Sequence, residues 1–221
     1  MVDVVARSVV RLTGEAEAPR LRGWPLLVGF LAATPAAAAL LVHASGRGHT
    51  GAVGVYAAGL VALYGVGWVY HLLRWSPPAR ARLRRLDHAV IYFFIAASYT
   101  PVAVVLHDTT AWLLLAGVWV GASVGIVAKL VHFEGARRIG GTMYIVVGWL
   151  PIVGAVDFVH RLGGLNAALM FGGGLLYTGG AAVLASRRPD PLPVYFGYHE
   201  VWHTMVLAAS VLHYLLVWRV V

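Results

Sequence analysis

Apolar residues run along this chain in seven long blocks separated by short polar or charged connections. The blocks cover about residues 24–43, 52–74, 87–107, 111–131, 141–160, 165–186 and 199–219. Each is close to the roughly 20 residues a helix needs to cross the hydrocarbon core of a bilayer. Backbone in lipid must satisfy its own hydrogen bonds, so blocks of this length joined by short loops predict a helical bundle. The expected fold is therefore all-α, an integral membrane bundle of seven transmembrane helices. The connections carry matching punctuation. Ser76-Pro77-Pro78 ends the second block, Asp108-Thr109-Thr110 predicts an N-cap for the fourth, and Arg187 to Pro191 separates the sixth from the seventh. Pro101 and Pro151 fall inside blocks and predict kinks, and Gly172-Gly173-Gly174 predicts a close helix approach. No internal repeat breaks the pattern. The chain reads as an N-terminal segment, 1–23, followed by one transmembrane domain, 24–221.

Composition supports the pattern. The 221 residues are 60% hydrophobic and 12% charged, against about 45–50% and about 25% in a soluble domain. The net charge of +8 would suggest nucleic acid in a soluble protein. Here the cations lie between the apolar blocks, which makes them topology signals and headgroup contacts and excludes nucleic acid as a partner. Arg7, Arg11, Arg20, Arg22, Arg74, Arg80, Arg82, Arg84, Arg85, Lys129, Arg137, Arg138, Arg187 and Arg188 fall on one side of an alternating seven-span chain. Only Arg47, Arg161 and Arg219 fall on the other. The excess predicts a cytoplasmic N-terminus and an outside C-terminus. Residues 1–23 mix both charge signs and lack a short apolar core, so no cleavable signal peptide is expected. The predicted location is the cell membrane, as a multi-pass protein of a bacterial plasma membrane. Trp24, Trp75 and Trp112 suit interfacial belts.

With no cysteine, a metal site must be built from His, Asp, Glu or water. His199 and His203 are four residues apart at the start of the last block, on one face of the predicted helix. His71 closes the second block and Asp87 opens the third. Alternating helix directions place all four at one membrane depth. Three imidazoles, from His71, His199 and His203, suit a zinc ion with an open fourth position. Its charge would acidify a bound water toward about pH 7, with Asp87 as a neighbouring base. Glu200 has two readings: a general base, or an interfacial charge, the second preferred. His88 and His213 read as structural, and His107, His132 and His160 as headgroup contacts at block ends. Arg80, Arg82, Arg84 and Arg85 read as topology determinants.

Tyr70-His71, Leu86-Asp87-His88, Ala97 to Pro101, Gly148-Trp149 and His199 to His203 follow one another in this chain. In that order they resemble the hemolysin III family of the progestin and adipoQ receptor (PAQR) superfamily, which includes the adiponectin receptors. The resemblance runs from about residue 20 to the last residues. It implies seven helices with a cytoplasmic N-terminus, zinc on His71, His199 and His203, and Asp87 near the metal water. It also implies ceramidase-like chemistry, the superfamily being described as metal-dependent membrane hydrolases. One position departs. Related sequences usually carry a serine four residues before the first histidine ligand, where this chain has Gly67. Ser98 and Thr100 are candidates to compensate.

The expected function is zinc-dependent hydrolysis of an amide- or ester-linked lipid that arrives from the inner leaflet, with membrane lipids as the partners. Two rivals stand beside it. One is a receptor-like or membrane-homeostasis regulator with a structural zinc. The other is a pore-forming hemolysin, placed last because a secreted cytolysin must be soluble before it inserts.

Overall fold

The computed structural model describes residues 19–131 and 137–221. Helix α1 spans Trp24–Ala44, α2 Thr50–Leu72, α3 Pro77–Leu106 and α4 Thr109–Val131. Helix α5 spans Arg137–Trp149, a 3₁₀ segment Leu150–Gly154, α6 Ala155–Leu162, α7 Gly164–Ser186 and α8 Tyr198–Val220. Among the described residues the sole β feature is one isolated bridge between Leu192 and Phe196. Among the described residues, seven helical stretches are long and apolar enough to cross a membrane, the fifth being Thr142–Leu162. The all-α seven-span expectation therefore holds. Most of the N-terminal segment, residues 1–18 with Arg7 and Arg11, lies outside the described residues, as does His132.

Two proline positions shape the spans differently. Pro151 falls in the 3₁₀ segment that interrupts the fifth span, because its ring removes one backbone donor and clashes with the preceding turn. Pro101 lies inside α3, which continues through it as helix. The largest departure from the apolar pattern is at the start of α3. That helix begins at Pro77, ten residues before the block, with Ser76 extended at the N-cap. Pro77 and Pro78 occupy the first turn, where a missing N–H has no intrahelical partner to lose. The charged stretch Arg80 to Arg85 is thus helical. At 1.5 Å per residue, this helix is about 45 Å long, roughly 15 Å more than the hydrocarbon core. Asp108 caps α4 as expected, its Oδ1 accepting the Ala111 N–H at 2.8 Å.

Helix α1 packs against both α2 and α8, α3 against α2 and α4, and α7 against α8. Three buried clusters fill the bundle. One joins Leu26, Leu40, Tyr56, Tyr64, Phe94 and Val217. A second gathers Leu106, Leu115, Phe158, Met170 and Leu216, and a third Tyr92, Ala96, Val118 and Val147. Glycines allow the tightest approaches. A β-carbon on Gly29 would lie 2.4 Å from the Tyr64 ring, and one on Gly173 2.4 Å from the His213 ring. The expected close approach is therefore real at Gly172 and Gly173, which face α8, while Gly174 faces Trp149 of α5. Lipid is as apolar as a leucine side chain, so the outward faces need no polar cover. Leu113, Val120, Val124 and Val127 accordingly stand exposed along α4.

Candidate metal centre

The loop before α8 prepares the histidine pair. Gly197 is extended at the N-cap. Its N–H donates to Glu200 Oε2 at 3.0 Å, and the Tyr198 N–H donates to Asp190 Oδ1 at 2.9 Å. Two carboxylates thus satisfy first-turn donors that have no partner inside the helix. Gly197 leaves room for this, since a β-carbon there would sit 2.7 Å from Asp190 Oδ1. Beyond the cap, His199 and His203 stand one turn apart on the same face. Their rings are perpendicular, with centroids 4.5 Å apart.

His71 reaches them from the last turn of α2. Its ring centroid is 5.0 Å from that of His199 and 5.0 Å from that of His203. One nitrogen from each of the three rings lies within 4.8 Å of the others, close enough to bind a metal ion. His199 Nε2 and His203 Nδ1 are buried and have no hydrogen-bond partner among the described residues. A buried polar nitrogen left unpaired costs about 1–3 kcal/mol. Three imidazole nitrogens this close together would remove that cost by accepting a cation, so the residues fit a metal.

Asp87 joins the cluster from α3. Its Oδ2 is 3.9 Å from His71 Nε2 and 3.5 Å from His88 Nδ1, and its side chain is mostly buried. The extension of α3 beyond the apolar block makes this meeting possible. Asp87 sits ten residues inside the helix, level with the end of α2 and the start of α8. The same His88 Nδ1 pairs with the Arg84 carbonyl at 2.8 Å, and the Tyr144 hydroxyl donates to the His88 carbonyl. His213 is buried in the α7–α8 contact, with Nε2 3.2 Å from the Met170 carbonyl. The backbone carbonyl contacts of both rings accord with the structural reading, and His88 in addition borders Asp87.

Glu200 is not the interfacial charge preferred from the sequence. It is 0% exposed, and its Oε1 forms an ion pair with Arg22 Nε at 2.6 Å. Arg22 had counted only as a topology charge. The local clue was Glu at the third helical position after an N-cap glycine, a capping pattern. The partner is far off in sequence and carries no such clue. Ser98 and Thr100 do not substitute for the missing serine. Ser98 Oγ donates to the Ile95 carbonyl and Thr100 Oγ1 to the Ala96 carbonyl. They lie at least 11 residues beyond Asp87, about 16 Å along the axis. The quoted motifs thus separate into two groups. His71, Asp87, His199 and His203 make the centre. Tyr99 donates to the Gly148 carbonyl and Trp149 Nε1 to Thr178 Oγ1, which knits the other half of the bundle.

Comparison with known proteins covers almost the whole chain. The family model described as haemolysin-III related matches residues 15–214. Hemolysin-3 of Bacillus cereus is 32% identical over 187 residues, 83% of this chain and 82% of that protein. A hemolysin-3 homolog of Bacillus subtilis is 28% identical over 187 residues, 83% of this chain and 84% of its own. The human monocyte to macrophage differentiation factor is 28% identical over 177 residues, 75% of this chain and 68% of that one.

Proposed function

This chain belongs to the haemolysin-III-related family of multi-pass membrane proteins, and we propose that it is a zinc-dependent hydrolase of an amide- or ester-linked lipid. The observation that carries this reading is the convergence of His71, His199 and His203 from two helices, with two orphaned ring nitrogens and the Asp87 carboxylate beside them. His71, His199 and His203 would hold the ion, a donor set of three imidazoles that suits zinc. When bound, zinc supplies Lewis-acid polarisation of a carbonyl and a lowered pKa for water.

The remaining steps belong to the chain. Asp87 is the group placed to accept a proton at Oδ2 and return it to the leaving amine or alcohol. Its neighbour His88 keeps a donor bond to the Arg84 carbonyl, which fixes that ring with Nδ1 3.5 Å from Asp87 Oδ2. Glu200 and His203 are buried, while His71 and His199 keep partial exposure through which a substrate and water can enter. The arginine-rich connections stand at the same end of the bundle as the centre, and the positive-inside rule makes that end cytoplasmic. The lipid then arrives from the inner leaflet of a bacterial cell membrane.

The test pairs metal analysis with lipid hydrolysis in detergent or vesicles. Wild type holding about one zinc per chain and cleaving an amide- or ester-linked lipid supports the reading. An Asp87→Ala variant that keeps its zinc and cleaves at the wild-type rate removes Asp87 from it.

One observation favours a second reading, a regulatory membrane protein whose zinc is structural. Gly67 faces Asp87 with no hydroxyl to offer. A cobalt-substituted protein whose visible spectrum ignores added azide or hydroxamate, and which cleaves no lipid, would favour this alternative.

A further inference from the structure

The helices that carry the histidines come from different parts of the bundle. Helix α2 packs on α1 and α3, and α8 packs mainly on α7 and more lightly on α1. His71 is one residue from the end of α2, and His199 is the second residue of α8. Helix ends fray. A metal site at two such ends needs something to hold them together.

Residues 20–23 lie across both ends. The Arg20 N–H donates to the Val194 carbonyl at 2.9 Å and the Leu21 N–H to the Tyr195 carbonyl at 3.0 Å. The Arg20 guanidinium also sits 5.0 Å over the Tyr195 ring. Gly23 has φ 84°, and a β-carbon there would lie 3.0 Å from both His71 Cβ and the Leu72 nitrogen. Between these contacts, Arg22 Nε reaches the fully buried Glu200 at 2.6 Å. The second oxygen of that carboxylate holds the Gly197 N–H. One short segment therefore touches the loop before α8, its first turn and the end of α2.

We propose that Arg22 is a positioning residue for the histidine centre: its ion pair with Glu200 fastens residues 20–23 across α2 and α8 and holds the three imidazoles at metal-binding separation. This rests on the reading that His71, His199 and His203 hold a metal. A carboxylate buried this completely is strongly committed to its counterion, because removing one partner leaves an unpaired charge out of water. The contact is therefore poised to transmit any slackening of the strap to the start of α8, one residue from His199.

The test uses the full chain, zinc-loaded in detergent, with Arg22→Gln, Arg22→Lys, Glu200→Gln and the Arg22→Gln/Glu200→Gln double variant. Two signals are read: the rate of zinc release to a chelator, and the visible absorption of the cobalt(II) form. Arg22→Gln is expected to release zinc about tenfold faster, equivalent to ~1.4 kcal/mol, and to shift the cobalt bands. Arg22→Lys, which keeps the charge, is expected to stay within about threefold of wild type. Glu200→Gln keeps an oxygen for the Gly197 N–H and loses only the charge pair, so it reads the same contact if Arg22→Gln fails to fold. Two changes acting through one contact do not add, so the double variant should be no worse than the worse single. Zinc release from Arg22→Gln and Glu200→Gln within twofold of wild type, or fully additive effects in the double variant, overturns the proposal. Wild type that binds no zinc overturns the underlying metal reading as well. Wild type with one zinc and indifferent variants overturns the strap alone.

Discussion

Gly67 faces Asp87: a β-carbon built on the glycine would lie 3.6 Å from Asp87 Oδ1 and 3.1 Å from Leu26 Cδ1. Leu26 is contacted at the tip of its side chain, which can swing aside by a few tenths of an ångström. Gly67→Ser therefore places a hydroxyl within reach of the aspartate one helical turn from His71. In the hydrolase reading, the expected outcome is a several-fold rise in lipid turnover with unchanged zinc content. Turnover measured beside metal analysis checks it, and a fall in turnover at full zinc would show that the position serves packing.

Removing a ligand should remove the metal. His199→Ala and His203→Ala are each expected to purify with less than about a tenth of the wild-type zinc, because two imidazoles close a far weaker site than three. Elemental analysis of detergent-purified protein decides this. Retention of full zinc in both variants would move the site elsewhere.

Asp87 should separate binding from chemistry. Asp87→Asn keeps the shape of the side chain and loses its basicity. Zinc content is expected to stay near wild type while hydrolysis falls at least about 100-fold, the lower range for a positioned general acid or base. Hydrolysis of a fluorescent amide-linked lipid, measured at equal zinc loading, gives the ratio.

The metal should also stabilise the bundle, since a ligand bound only by the folded state adds RT ln(1 + [L]/Kd), about 4 kcal/mol at 1,000 times Kd. A chelator is expected to lower the melting temperature of wild type and leave that of His203→Ala unchanged. Equal shifts in both proteins would mean that the chelator acts elsewhere.

Packing predictions are independent of function. Gly173→Val would drive a side chain into the His213 ring, 2.4 Å from the new β-carbon, and should destabilise the α7–α8 contact by about 1–3 kcal/mol. Gly117 has open space around its missing β-carbon. Gly117→Ala should be neutral or stabilising by up to about 1 kcal/mol, from reduced backbone entropy in the unfolded chain. Thermal unfolding of the two variants side by side tests both statements.

Particular residues show how far the sequence could be read. All seven spans were legible because a bilayer demands long apolar runs. Their edges were less so: Pro77 to Leu86 is helical although charged, since a helix that leaves the hydrocarbon needs no apolar side chains. The shared depth of His71, Asp87, His199 and His203 followed from alternating helix directions. Their actual meeting did not, because depth says nothing about position around a bundle. Glu200 was misread because burial of a carboxylate depends on its counterion, and Arg22 lies far away in sequence. Ser98 and Thr100 were over-read, because a hydroxyl inside a helix often satisfies itself on the preceding turn, as both do here.

The centre lies where two helices end, not at mid-bundle, and that has a kinetic consequence. In the hydrolase reading, the ester or amide carbonyl of a membrane lipid, which sits near the border between hydrocarbon and headgroups, would meet the centre where α2 stops and α8 begins. A lipid reacting there keeps its tails in the leaflet throughout. Encounter would then be two-dimensional, governed by lateral diffusion and by the mole fraction of substrate in the membrane, so bulk aqueous lipid concentration would be the wrong variable in a rate law.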